Sequence, residues 1–278
     1  MNGITQIKEN DLPPFSNYLG SGKFGRVFAS KYKNKDVVCK IMKHGIGIRM
    51  FINELSILHS LQGHGGIVEL YGYTISSIKM IIIMEHAKGI TLNDLISYYD
   101  IAYMKMLLIC RQIASTMIYM HSKNIIYCDM KPDNIMIDPE TYTIKLIDFG
   151  FSIQLDPANT IVKGDPCGTT GYIAPEVMFH GCFGTACDVY SFGVLLYVLH
   201  TSNPPDRVSR MKSLLKVKYE RHVFKLFCQC TQTLPKYRPS FIQIYNTITK
   251  LEKRIDKYKK FYNNIHKYLC WLPLFYKK

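Results

Sequence analysis

Four side chains have the types and spacing that phosphoryl transfer needs. Asp129, Lys131 and Asn134 lie within Ile126–Met136 (IYCDMKPDNIM), and Asp148 follows in Lys145–Gly150 (KLIDFG). Such a reaction passes through a loose, highly charged transition state and asks the protein for positioning and charge neutralisation rather than covalent chemistry. One carboxylate must accept a hydroxyl proton, a second carboxylate and an amide oxygen must hold magnesium, and a cation must approach the migrating group. Asp129, Asp148, Asn134 and Lys131 can fill those places. Taken alone, D-x-K-x-x-N reads equally well as the turn chemistry of an Asp-rich loop, so the elements around it have to decide.

The first is Leu19–Val27 (LGSGKFGRV), a G-x-G-x-x-G-x-V pattern carried by Gly20, Gly22, Gly25 and Val27. Glycines let a hairpin backbone approach phosphates closely. The flanks read as two strands joined through the Lys31–Lys35 turn, with no helix following, which argues against a dinucleotide site. Next, Asp36–Met42 (DVVCKIM) reads as a short apolar strand interrupted by Lys40. A lysine in a buried strand is usually paired or functional. Its partner candidate is Glu54, near the apolar face that Phe51, Leu55, Leu58 and Leu61 draw along Met50–Leu61. The plainer alternative is a solvated glutamate on an amphipathic helix.

Ile67–Tyr73 and Lys79–Met84 read as further apolar strands leading into Glu85–Gly89 (EHAKG), after which Thr91 caps a helix. The Thr91–Tyr99, Tyr103–His121, Thr185–His200 and Phe241–Lys257 stretches read as helices. Leu107, Leu108, Ile113, Met117 and Met120 mark the second as largely core. Gly168–Glu176 (GTTGYIAPE), Asp188–Gly193 (DVYSFG) and Arg238 in YRPS complete the series. Six motifs in this order, from Leu19 to Arg238, resemble the eukaryotic-type serine/threonine protein kinases. The resemblance implies an α+β, bilobal kinase fold: a small β-rich lobe with one key helix over residues 13–86, and a larger, mainly helical lobe over 87–252. Residues 1–12 form an N-terminal extension and 253–278 a basic, aromatic tail.

It also implies roles, with ATP and Mg2+ as cofactors. Lys40, paired with Glu54, contacts the α- and β-phosphates; Asp148 and Asn134 hold magnesium; Asp129 accepts the substrate proton; Lys131 steadies the γ-phosphoryl group; and Thr169 touches the catalytic carboxylate. The Gly20–Gly25 loop, with Ser21, Gly22, Lys23 and Phe24, covers the nucleotide. Leu19, Val27 and Val38 form the adenine roof and Met136 its floor. Backbone groups of Glu85 and Ala87 bind its edge, and Met84 guards the pocket behind. Val38 stands where the family usually has alanine, which tightens that roof. Glu176 and Arg238 form the family's structural ion pair. Lys131, together with Gly168-Thr169 before Tyr172, matches serine/threonine rather than tyrosine specificity, and Asp133 and Asp94 favour a basic residue upstream of the acceptor.

The main departure is Tyr127-Cys128 in place of the usual His-Arg before the catalytic aspartate. Tyr127 can join an apolar column with Leu58, Leu70 and Phe149. Cys128 cannot pair a phosphate as the arginine does, so activity is expected to be independent of phosphorylation at Thr160 or Thr170.

Composition sets the remaining bounds. The chain has 278 residues, 47 % of them hydrophobic, with apolar runs too short to span a bilayer and no basic-then-apolar leader at its start. An intracellular protein of cytoplasm or nucleus is expected. The compact size and Ile-, Lys- and Tyr-rich composition resemble kinases of large DNA viruses, for which the compartment is the host cell's. Nine scattered cysteines fit reduced thiols, and Cys228/Cys230 lack a second pair for zinc. A net charge of +14 is concentrated at Lys253–Lys260, where Tyr258, Phe261, Tyr262, Tyr268, Trp271 and Phe275 interleave with cations. Packing of these aromatics on the large lobe or on a second copy is favoured over a nucleic-acid or membrane contact, with Pro273 ending any helix. The readings that compete with catalysis are a pseudokinase scaffold and a nucleic-acid-associated factor.

Overall fold

The computed structural model describes residues 3–12, 14–76, 79–206, 211 and 221–269. Strands β1 (Asn17–Ser21), β2 (Gly25–Tyr32), β3 (Lys35–Met42), β4 (Leu70–Ile75) and β5 (Met80–Glu85) form an antiparallel sheet in the order β1-β2-β3-β5-β4. The β2–β3 hairpin turns on Lys33 and Asn34 alone, both at positive φ (47° and 62°). That two-residue turn suits the strand twist and is shorter than the Lys31–Lys35 turn expected. Likewise β4 starts at Leu70 rather than Ile67. The preceding residues leave the sheet to join the large lobe: the Val68 N–H donates to the Leu146 carbonyl (3.3 Å) and the Leu146 N–H to that of Gly66 (2.8 Å).

Helix α1 (Ile48–Ser60) lays Phe51, Leu55 and Leu58 against the sheet. Because positions 51, 54, 55 and 58 share one helical face, the same periodicity that buries the leucines buries Glu54, only 1 % exposed. The sheet's other face carries a small second core of Val37, Cys39, Ile81 and Ile83 closed by Ile7.

Past Glu85–Gly89, the hinge between the two lobes, β6 (Ile90–Thr91) leads into α2 (Leu92–Tyr98), capped as expected. The Asp94 N–H donates to Thr91 Oγ1 (3.0 Å), and the Asp94 carboxylate accepts in return from the Thr91 N–H (3.3 Å). Helix α3 (Tyr103–Ser122) is followed by β7 (Ile125–Ile126), β8 (Ile135–Ile137) and β9 (Ile144–Leu146), with β6, β8 and β9 pairing into a small sheet beneath the cleft. Strand β10 (Ile153–Gln154) pairs with β7, and β11 (Val162–Lys163) with β12 (Cys182–Phe183), which follows the short helix α4 (Pro175–His180). The core of the large lobe is α5 (Thr185–Thr201), buried continuously from Cys187 to Leu199. Helices α6 (Arg221–Cys230) and α7 (Phe241–Leu269) pack against α5 and α3 respectively.

Helix α7 runs straight through the boundary expected at residue 253, tied to α3 by Arg111 Nε and the Glu252 carboxylate (2.9 Å). The tail side chains from Tyr258 onward and the Pro273 stop lie outside the described residues.

The Glu176–Arg238 pair forms as the motifs implied. Arg238 Nη1 and Nη2 fork onto the two Glu176 oxygens (2.5 and 2.7 Å), and Nη1 and Nε also donate to the carbonyls of Ala186 and Gln232. With the guanidinium fully buried, removing one partner leaves a desolvated charge behind. Arg238→Ala is expected to lower stability by about 3–5 kcal/mol. Urea titration checks it, and a loss below about 1 kcal/mol would mean that the pair is not a structural tie.

Candidate active site

Lys40 enters the cleft from β3, on the same face as Val38. Its Nζ donates to Glu54 Oε1 (2.6 Å) and Asp148 Oδ1 (2.8 Å) while only 5 % of the residue is exposed. Burial works against its ammonium, but the two carboxylates outweigh that and hold its pKa above the ordinary lysine value. Burial raises Glu54. Asp148, also penalised by burial, is nonetheless held below the usual carboxylate range by Lys40 and by the Gly150 N–H, which donates to it at 3.2 Å. The signs agree on one window: the Lys40–Asp148 pair is charged from below the ordinary aspartate range to above the ordinary lysine range, and dissolves only outside it.

A second carboxylate centre lies across the cleft. Asp129 Oδ1 accepts from Thr169 Oγ1 (2.6 Å), Asp129 Oδ2 accepts from Asn134 Nδ2 (2.8 Å), and Lys131 Nζ donates to Thr169 Oγ1 (2.8 Å), 3.3 Å from Asp129 Oδ2. Asn134 Nδ2 also reaches the Asp129 carbonyl (2.9 Å). The Asn134 amide thus spends its donor side on the loop, which turns its oxygen toward the cleft it lines.

A carboxylate not singled out from the sequence as a site residue holds this loop in place. Asp188, fully buried in α5, accepts from the Cys128 N–H (2.8 Å), the Tyr127 N–H (2.9 Å) and His121 Nε2 (2.9 Å). Its signal in the sequence is an acid at the head of the otherwise apolar run Val189–Leu199, where an unpaired charge is not tolerated. Cys128 adopts φ 66°, a conformation that β-carbon residues rarely take, so the Asp188 bonds stabilise a strained turn. The Cys128 thiol lies against Cys187, and that contact together with burial pushes its pKa well up. The Tyr127 ring packs edge-on to Phe149 (5.4 Å between centroids), with Leu58 buried and Leu70 half-buried in the same core. Its hydroxyl donates to the carbonyls of Asn134 and Ile147, the first a metal-binding candidate and the second the residue before Asp148.

Between the two centres, a cleft of about 630 Å3 is lined by Leu19, Gly20, Ser21, Gly22, Gly25, Val27, Val38, Lys40, Met84, Glu85, Ala87, Asn134, Met136 and Asp148, together with Asp94 and Asp133. The structure therefore gathers nearly all the residues expected around a nucleotide. Lys23 and Phe24 are the exceptions. Phe24 is only 2 % exposed, packed edge-on to Phe151 (4.6 Å) and against Gly150, because burying the ring there removes it from water; Lys23 stacks over the same Phe151 ring. Neither lines the cleft, and the Phe24 ring lies 5.6 Å from Lys40 Nζ.

A model of the protein kinase domain matches residues 15–265. The chain belongs to the protein kinase family. Among its relatives in this family is a RasGEF domain-containing serine/threonine-protein kinase of Dictyostelium discoideum, 33 % identical over 195 residues, or 69 % of this chain and 20 % of that protein. A probable LIM domain-containing serine/threonine-protein kinase of the same organism is 29 % identical over 259 residues, 87 % of this chain and 39 % of that protein. An Aurora kinase of Eremothecium gossypii is 33 % identical over 205 residues, 67 % and 52 % of the two chains. The chain thus spans well under two-thirds of each of these relatives. The kinase core is what they share, including the bilobal α+β fold.

In this kinase domain the Tyr127 hydroxyl is the clearest local test of the catalytic-loop scaffold. Tyr127→Phe keeps the ring but takes its hydroxyl donor from the Ile147 carbonyl and leaves the Asn134 carbonyl with the Ile147 N–H alone. It is expected to cost about 1–3 kcal/mol of stability, with phosphoryl transfer falling further than nucleotide affinity; an unchanged melting temperature and rate would remove the hydroxyl from the scaffold.

Proposed function

We propose that the chain transfers the γ-phosphoryl group of ATP to serine or threonine hydroxyls of protein substrates. The observation that carries this is the assembly of both charged centres at once: Lys40 with Glu54 and Asp148 on one side, Asp129 with Thr169, Asn134 and Lys131 on the other. A degraded site loses one of these groups, and here each is present and oriented. The relatives, two serine/threonine-protein kinases and an Aurora kinase, support the same class.

Asp148 and Asn134 offer a carboxylate and an amide oxygen, hard donors of the kind magnesium takes. They are the residues that would hold it, and a bound magnesium ion neutralises phosphate charge. Lys40 supplies positive charge to the α- and β-phosphates. Asp129, with one oxygen steadied by Thr169, orients the acceptor hydroxyl and takes its proton as the oxygen bonds to the γ-phosphorus and the bond to the β-phosphate oxygen breaks. Lys131 stands beside the path of the migrating group. Asp94 and Asp133 at the cleft mouth favour acceptor peptides with a basic residue upstream of the hydroxyl, against the +14 charge of the chain as a whole.

Activation without loop phosphorylation is part of the same reading. The family's phosphate-binding arginine is Cys128 here, a buried neutral thiol. The activation segment is pinned instead by backbone: Val162 pairs with Phe183, and the Gly164 N–H donates to the Gly181 carbonyl (2.9 Å). Gly181 sits at φ 58°, and a β-carbon there would come within 2.1 Å of the Gly164 carbonyl oxygen, so only glycine fits without displacing the segment.

The first test is magnesium-dependent transfer from labelled ATP to a mixture of Ser/Thr peptides, wild type against Asp129→Asn. The variant should lose about 10²–10⁴-fold in rate while keeping its nucleotide affinity. No transfer by either chain, with ATP bound by both, would make the protein a pseudokinase scaffold. On the same assay Thr160→Ala should stay within about twofold of wild type, whereas Gly181→Ala should fall by about tenfold or more as the strained position shifts the segment. Loss at Thr160 that an acidic residue restores would contradict the backbone-pinned reading.

A further inference from the structure

Away from the nucleotide cleft, two helices of the large lobe present polar stripes to each other. In α6, positions 222, 225 and 229 fall on one side of the helix, and in α7 positions 243, 246, 250, 254 and 257 do the same. Leu226 and Leu251, beside these stripes, are buried, and the stripes face each other across two hollows of about 220 and 360 Å3. The hollows share Leu226, Gln229, Thr247 and Lys250, so they form one groove. Both of its walls are cationic, with Lys225 on α6 and Lys250 and Arg254 on α7, all exposed. At one end Arg254 Nη1 reaches His222 Nε2 (3.5 Å) across the gap. Among the described residues no carboxylate and no aromatic ring lines the groove. Glu252 turns the other way, to Arg111 on α3, and Asp256 falls on that same far side of α7.

Length, charge and floor decide which anion suits it. From Gln243 to Lys257 the α7 stripe runs about 21 Å at about 1.5 Å per residue, longer than one phosphate or a compact metabolite can use. A line of cations is matched by a line of anions. An acidic peptide also needs apolar anchors, and the floor leucines are already buried and offer it none. An anionic bilayer is flat and binds through apolar side chains that insert into it, whereas this site is recessed between two helices. A second copy carrying +14 is repelled. A nucleic-acid strand carries one phosphate per about 3.4 Å, so about six phosphates span the stripe. The amides of Gln229, Gln243 and Asn246 stand among the cations as further donors to phosphate oxygens.

We propose that the α6–α7 groove binds the sugar-phosphate backbone of a single nucleic-acid strand without regard to its base sequence. Lys225 meets the strand from one wall, and Lys250, Arg254 and Lys257 meet it from the other. With no ring for bases to stack on, the affinity comes from phosphate neutralisation, so it is modest and depends steeply on salt. A duplex is wider than the space between two packed helices, whose axes lie about 8–10 Å apart, and touches only the rims. The inference does not rest on phosphoryl transfer, since none of these residues belongs to the active site and binding alone reads it.

The test is fluorescence anisotropy of the full chain with a labelled DNA strand of about 12 thymidines. Binding is expected at a Kd on the order of 10 µM at about 0.15 M salt, and about twentyfold tighter at about 0.05 M if four phosphates are neutralised. The double variant Lys250→Glu, Arg254→Glu should weaken it by about tenfold or more and about halve the salt slope, with its melting temperature unchanged, since both side chains are exposed. The pair Lys8→Glu, Lys35→Glu makes the same change in net charge on exposed residues of the small lobe, and should stay within about twofold of wild type. Equal weakening by the two pairs would show general attraction to a basic protein and overturn the groove, as would unchanged affinity in the first. Cytidine DNA and uridine RNA of equal length should bind within about threefold of the thymidine strand; a preference of about tenfold would mean that bases or sugars are read, against the proposal. A duplex bound as tightly as the strand would contradict the strand-in-groove geometry. Equal competition by polyglutamate or by phosphatidylserine vesicles, or no binding up to about 1 mM, would dispose of the proposal.

Discussion

A buried ammonium needs compensation, and much of the active site follows from compensating Lys40. Its side chain leaves β3 into a space from which water is nearly excluded, where two carboxylates together outweigh burial and keep its proton. Glu54 comes from a helix and Asp148 from the loop after β9, so satisfying one charge fixes three elements relative to one another. Neither carboxylate is stable there alone: burial raises Glu54, and Asp148 stays ionised because Lys40 and the Gly150 N–H face it. The three groups are charged only as a set. Any rotation of α1 that withdraws Glu54 therefore leaves Lys40 with Asp148 as its remaining carboxylate, which ties the position of a small-lobe helix to the charge around Asp148 in the large lobe.

The large lobe solves a parallel problem with Asp188. A carboxylate inside the most apolar helix of the protein is costly unless its oxygens are filled, and the catalytic loop supplies the donors. The N–H groups of Tyr127 and Cys128 bind it, with His121 alongside. The loop gains a fixed anchor one residue before Asp129, and the helix has its buried charge satisfied. Side-chain identity at position 128 is nearly irrelevant to that anchor, because the bond runs from the backbone. That is why a thiol can stand where the family carries arginine without the loop losing its shape.

Much of this was legible in the residues themselves. Lys40 in an apolar strand and Glu54 on the apolar face of a helix each break a local pattern, and each break marks a paired charge. The Thr91 cap and the Glu176–Arg238 pair were legible for the same reason, since short-range chemistry and motif order specify them. What escaped was set by distant chain. Ile67 and Val68 alternate like a strand, yet they lie beside β9, where the Val68 N–H donates to the Leu146 carbonyl. The extent of α7 escaped as well: the helix was expected to end at Lys257 and continues to Leu269. Phe24 was placed over the nucleotide by its position between two glycines. Its actual site beside Phe151 and Gly150 depends on a contact more than 120 residues away, which no local pattern encodes.

The absence of an arginine before Asp129 bears on how the activation segment is held. An arginine–phosphate tether is conditional: it exists only while the phosphate does, and its strength falls with ionic strength. A β11–β12 ladder and a glycine that admits no side chain at residue 181 are unconditional, being written into the backbone. The two arrangements also differ in cost. An unpaired arginine beside Asp188 would either face solvent or remain a buried charge without its phosphate in the resting chain, whereas the Cys128 thiol is buried as a neutral group hydrogen-bonded with Cys187. In this chain the segment is supported by backbone pairing at residues 162–164 and by the Thr169 hydroxyl, which joins it to Asp129 and Lys131.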